Sequence, residues 1–179
     1  MEARLAAEAR GQEHFSFPPD LSAEGKKDAE IAKILETQKL TFEARKNNLK
    51  SQIATLQESI NGLEERIEGT STQLSGVRQQ IKFIGEELSD KNKLLQSGLI
   101  RKPEVLALQR MDANLQGEVG RLVGEMGDAK DRISRTKEQI TAARTDAVKT
   151  AVEQLHEARA EQNDVRERMR AAEGILERI

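Results

Sequence analysis

Proline occurs at only two places, Pro18-Pro19 and Pro103, so helix is open to the chain from 23 to 97 and again from 104 to 179. Proline breaks a helix interior because it lacks the amide hydrogen and its ring clashes with the preceding turn. In the first stretch, Leu49, Ile53, Leu56, Ile60, Leu63, Ile67, Thr70, Leu74, Val77, Ile81, Ile84, Leu88, Lys91 and Leu95 alternate in spacings of four and three. Only Thr70 and Lys91 interrupt the apolar run. This is the heptad period of a helix that packs along a partner helix.

The second stretch follows the same rule through Val105, Leu108, Asp112, Leu115, Val119, Leu122, Met126, Ala129, Ile133, Thr136, Ile140, Ala143 and Ala147. It then slips by about one residue and resumes as Leu155, Ala158, Gln162, Val165, Met169, Ala172, Leu176 and Ile179. The first stretch has a matching slip, from the phase Ile31-Leu35-Gln38-Phe42-Arg45-Leu49 to the phase Ile53-Leu56-Ile60. Two slips at one level are expected when two paired helices unwind together.

Between the stretches, Gly98 suits the left-handed position that ends a helix, with Leu99 beyond it able to touch Leu94. Pro103 suits the first turn of the next helix. A link this short makes its helices antiparallel neighbours. The expected fold is therefore all-α: a long antiparallel two-helix coiled-coil hairpin with a short additional N-terminal helix. The expected organisation is a short helix over 1–13, a Phe-Pro break over 14–22 with Ser22 as N-cap, a first long helix over 23–97, a tip turn over 98–103 and a second long helix over 104–179. Each arm would be roughly 110 Å long.

Composition fits long helices and excludes several classes. Charged residues make up 34% of the chain and aromatics 2%, with neither Trp nor Tyr, too few for an ordinary globular core. No cysteine is present, which removes disulfides and thiolate metal sites. A net charge of −2 supplies no basic field for nucleic acid. No apolar run approaches the roughly 20 residues of a membrane span. His14 and His156 form no ligand pair, no glycine-rich phosphate loop follows a strand, and a two-helix fold offers no water-excluding pocket. The expectation is a protein without catalytic residues, metal or cofactor.

Three features exceed plain helix pairing. Lys91 and Asp112 are charged seam positions near the turn, expected either to form a cross-arm ion pair that fixes register or to reach water separately. Gly62, Gly69 and Gly76 repeat every seven residues, and Gly117, Gly120, Gly124 and Gly127 form a line on the second arm. Each costs roughly 1 kcal/mol against Ala inside a helix. They are either a smooth band for lateral packing of neighbouring hairpins or a tolerant, flexible segment. At the tip, apolar Leu99 and Ile100 beside basic Arg101 and Lys102 suit docking onto another protein's helical end, or form an ordinary capped turn.

The segment Leu94-Leu95-Gln96-Ser97-Gly98-Leu99-Ile100-Arg101-Lys102-Pro103-Glu104-Val105-Leu106-Ala107-Leu108-Gln109-Arg110 resembles the tip of HlyD-type periplasmic adaptors, the membrane fusion proteins of type I secretion systems. The break Phe15-Ser16-Phe17-Pro18-Pro19-Asp20-Leu21 resembles the PrsE-like branch of that family. The resemblance implies the excised hairpin of a periplasmic protein anchored in the inner membrane by one N-terminal helix. Such a protein also carries lipoyl-like and β-barrel domains. It joins an ABC transporter to a TolC-like outer-membrane channel, usually as a hexamer, without direct membrane contact by the hairpin. The channel-docking tip would comprise Leu94, Leu95, Gly98, Leu99, Ile100, Arg101, Lys102, Pro103, Glu104 and Val105. Drug-efflux relatives carry an Arg, Leu, Ser set at the tip. Aligned on Leu94, this chain has Asp90 and Arg101 at the outer two positions, which is in line with a type I adaptor. A second reading of the same seam is a generic cytoplasmic coiled-coil scaffold that dimerises in parallel through 49–95.

Overall fold

The computed structural model describes residues 1–176. The chain folds into four helices: α1 (Glu2–Ala9), α2 (Pro19–Glu24), α3 (Ala29–Gln96) and α4 (Lys102–Leu176). No strand occurs among the described residues. The fold is the expected all-α antiparallel hairpin, with α3 and α4 as its arms and α1 as the short additional helix. It divides into two compact units, one formed by 1–55 with 138–179 and one by 56–137.

In the 56–137 unit the heptad seam is the core. Ile60, Leu74 and Ile84 of α3 are buried, as are Val105, Leu122, Ala129 and Ile133 of α4. Each large aliphatic side chain so buried contributes roughly 1.5–3 kcal/mol. Thr70 and Thr136 are buried in the same seam. The Thr136 hydroxyl donates to the Arg132 carbonyl at 2.9 Å, so the helix's own backbone satisfies it.

The 1–55/138–179 unit has three helices where α1 lies against the arms. α1 stops at Gly11, whose φ of 63° is open to glycine and strained for other residues. The Gln12 and Gly11 amides donate to the Ala7 and Glu8 carbonyls, both at 3.0 Å, which closes the helix end. Pro18 then caps α2 and Pro19 takes its first position, where no amide hydrogen is required.

The start of the first arm differs from the sequence expectation. Ser22 lies inside α2, and its amide donates to the Pro18 carbonyl. The N-cap of α3 is Asp28, whose Oδ1 accepts from the Glu30 amide at 2.7 Å. Its charge also suits the positive helix N-terminus. Between α2 and α3 the chain turns at Gly25. A Cβ built there would sit 2.7 Å from Leu35 Cδ1, so a larger residue would require the end of the Leu35 side chain to shift.

The resumed seam of α4 also differs. Leu155 and Ala158 are partly covered, but Gln162, Val165, Met169 and Ala172 are exposed. Arg45 of α3 is level with Gln154 of α4, and α3 begins at Ala29. At equal rise per residue, the arm opposite α4 runs out near residue 170. Ala172 thus lies past the level that α3 reaches, whereas Gln162, Val165 and Met169 are exposed although α3 still runs at their level. The seam positions Leu176 and Ile179 and the end of the expected 104–179 helix lie outside the described side chains.

Candidate docking tip and lateral face

The tip is built by a helix stop and a helix start. Gly98 has φ 71°. The Leu99 amide donates to the Leu94 carbonyl at 2.9 Å and the Gly98 amide to the Leu95 carbonyl at 3.0 Å. This pair of bonds is the Schellman stop, and it fixes the direction in which the chain leaves α3. After the five residues 97–101, α4 begins at Lys102, with Pro103 in its first turn. Glu104 reaches back toward the Arg101 amide at 3.5 Å.

Beneath the turn, Val105 is buried and Leu95 and Ile100 are partly buried. Above it, Leu99 keeps 72% of its surface in solvent and Leu94 keeps 40%. Gly98, Arg101, Lys102, Pro103 and Glu104 are exposed. The backbone bond between Leu99 and Leu94 therefore leaves the Leu99 side chain pointing outward. The result is an apolar projection beside two cationic side chains, on a backbone that hydrogen bonds hold in one conformation.

The expected Lys91–Asp112 pair is not formed. Lys91 Nζ lies 3.5 Å from Glu104 across the turn and 3.8 Å from Glu87 on its own helix. Asp112 accepts a hydrogen bond from Gln116 at 2.8 Å. A cross-arm ion pair does exist, with a different acid. The short turn sets Lys91 level with the first turn of α4, and Asp112 lies about 12 Å farther along that helix.

The seven glycines Gly62, Gly69, Gly76, Gly117, Gly120, Gly124 and Gly127 are all helical and exposed. A Cβ built at any of them meets nothing within 4 Å. Packing inside the hairpin does not demand them. Between the glycines of α4, Arg121 bonds both Glu118 and Glu125 of its own helix. The Arg121 hydrogen bond holds the Glu118 carboxyl below its usual pKa, and both acids raise that of the guanidinium.

Sequence reasoning missed the docking of the N-terminal segment. Arg4 is 4% exposed, yet it is satisfied: it donates to Gln38 of α3 at 2.9 Å and to Glu8 at 2.6 Å. Glu8 also meets Arg45 of α3 at 3.1 Å, and Arg45 donates to Gln154 of α4 at 2.9 Å. Glu2 meets Arg159 of α4 at 2.7 Å. The ring of Phe15 packs on Phe42 with centroids 4.9 Å apart. The available signal was the polar pair Gln38 and Arg45 at seam positions, where an apolar residue would face α4.

No group of acidic residues and histidines suited to a metal ion occurs among the described residues. No described helix is long and apolar enough to cross a membrane.

Residues 1–175 match a family described as AprE, long alpha-helical hairpin. A curated relative, the type I secretion system membrane fusion protein PrsE of Rhizobium meliloti (strain 1021), is 29% identical over 177 residues. The match covers 99% of this chain and 40% of that protein's length. Among solved structures, the soluble domain of LipC, a membrane fusion protein of a type I secretion system, has the same fold. Its TM-score is 0.90 at 23% identity, over 96% of this chain and 80% of that one. These matches agree with the resemblance carried by the tip and the Phe-Pro break.

Proposed function

The chain belongs to the AprE family of long α-helical hairpins, and from that premise we propose that it is the adaptor hairpin of a type I protein secretion system. It works in the periplasm, as part of a protein anchored to the inner membrane. There it bridges an inner-membrane ABC transporter, held through domains outside this chain, to a TolC-like outer-membrane channel. Its role is structural and not enzymatic.

The observation that carries this reading is the tip. A Schellman stop at Gly98 and the Lys91–Glu104 pair fix the turn, while Leu99 stays 72% exposed beside Arg101 and Lys102. An exposed leucine on a restrained backbone loses little conformational freedom when it is buried against a partner. The neighbouring cations would orient the encounter and select an acidic rim on the channel. Lateral contacts between copies, in a hexamer, would use the open glycine lines of α3 and α4.

The parallel-scaffold reading loses its basis, because the seam is used within one chain: Lys91 meets Glu104, and Arg45 meets Gln154.

The tip is tested by Gly98→Val and Leu99→Asp in the full-length protein. Both variants should keep the helical circular-dichroism signal and lower export of the secreted substrate by about tenfold or more, as expected when a central apolar anchor is lost. Unchanged export by both variants would remove the tip from the mechanism.

A further inference from the structure

The heptad seam changes phase at one level of the hairpin, between Arg45 and Ile53 on α3 and between Ala147 and Leu155 on α4. A phase change deprives a two-helix seam of facing apolar knobs over that interval. The side chains found there fit such a deficit. Arg45 occupies a seam position yet is exposed, and the fully covered α4 residue is Ala151, which is too small to fill a hole.

The N-terminal segment lies across this interval. Leu5 has no exposed surface and Ala7 is buried, although α1 is only eight residues long. So short a helix cannot cover its own leucine, so what packs against α1 must do so, and the polar ties of α1 run to α3 and α4. Polar ties locate the docking. Arg4 reaches Gln38 before the phase change, and Glu8 reaches Arg45 at its start. Every acid of residues 1–13 is paired: Glu2 with Arg159, Glu8 with Arg4 and Arg45, and Glu13 with Lys46. The bases therefore come from both arms, and Phe15 adds a ring contact to Phe42.

We infer that residues 1–17 are a strap that closes the hairpin where its own two-helix seam is defective, by making that interval three-stranded. Leu5 and Phe15 supply the apolar part of its hold, and pairs to Arg45, Lys46 and Arg159 supply a charged part. The exposed pairs weaken with salt and the apolar contacts do not. The strap is therefore a conformational device local to the phase change: with it undocked, this interval opens while the regular seam stays shut.

Hydrogen exchange read by mass spectrometry on the full chain tests this, comparing wild type with Leu5→Asp and, as a milder variant, Phe15→Ala. In Leu5→Asp, exchange should rise by about tenfold or more within 2–9, 42–53 and 143–155, with 60–90 unchanged, as expected for a local opening. Phe15→Ala should give the same pattern to a smaller extent. Raising salt from about 0.05 to about 0.5 M should speed exchange of wild type in the same segments. Faster exchange confined to 2–9 would overturn the inference, since the strap would then close nothing. An equal rise throughout 60–90 would overturn it too, and so would no change in any segment.

Discussion

Glu13 pairs with Lys46 at 2.7 Å while remaining largely exposed. The hydrogen bond from Lys46, and then its charge, hold the Glu13 carboxyl below its usual value of 4.5. A carboxyl whose folded pKa is depressed stabilises the docked state above its unfolded pKa, and that contribution is lost as pH falls through the folded value. A carbon-detected NMR titration of Glu13 should therefore give a midpoint below 4.5, and Lys46→Ala should move it back up. A midpoint at or above 4.5 in the wild-type chain would show that the pair does not form in solution. Arg4 differs because it is buried. Removing Glu8 or Gln38 would strip a partner from a charge with little access to water, which is the costly way to break such a contact.

Among the elements, α3 and α4 were legible because their seam repeats locally. Each step of three or four residues can be read without knowing what lies opposite. The stop at Gly98 was legible for the same reason, as one turn of sequence contains both bonding partners. What could not be read is long-range. Arg4 and Gln38, or Glu2 and Arg159, follow no shared period, so nothing in their spacing announces that α1 docks. The Lys91–Asp112 expectation failed because the facing register depends on where the turn starts and stops, and a shift of a few residues selects Glu104 instead. Ser22 and Asp28 both suit a cap, and Ser22 is taken up inside α2, which leaves the capping of α3 to Asp28. The glycine lines permit a test of their own. Since a Cβ at Gly62, Gly69 or Gly76 meets nothing, Ala at all three should stabilise the isolated chain by roughly 3 kcal/mol. Thermal denaturation checks this, and a lowered midpoint would mean that these positions are not open. In the full-length protein, Gly120→Glu with Gly124→Glu should shift assemblies toward monomer in sedimentation if neighbouring hairpins meet there.

In the whole molecule, two observations of different kinds meet. The family match extends over 1–175, and within that length the apolar surface is unevenly spent. In the 56–137 unit the seam is buried or partly buried, the strap's Leu5 is covered, and Leu99 at the turn is not, while Val165 and Met169 of the resumed α4 seam are also exposed. A turn that only connected two helices could satisfy its last carbonyls with Gly98 and place a polar residue next. The presence of leucine there, with Arg101 and Lys102 following, leaves an exposed apolar residue beside two cations, the surface proposed to meet the channel. The most direct test is site-specific photocrosslinking in cells, with a photoreactive residue replacing Leu99 in the full-length protein and the same replacement at exposed Lys149 as control. A docking tip should give a crosslink from position 99 to the outer-membrane channel and none from position 149. Channel adducts absent at 99, or equally strong at 149, would contradict it.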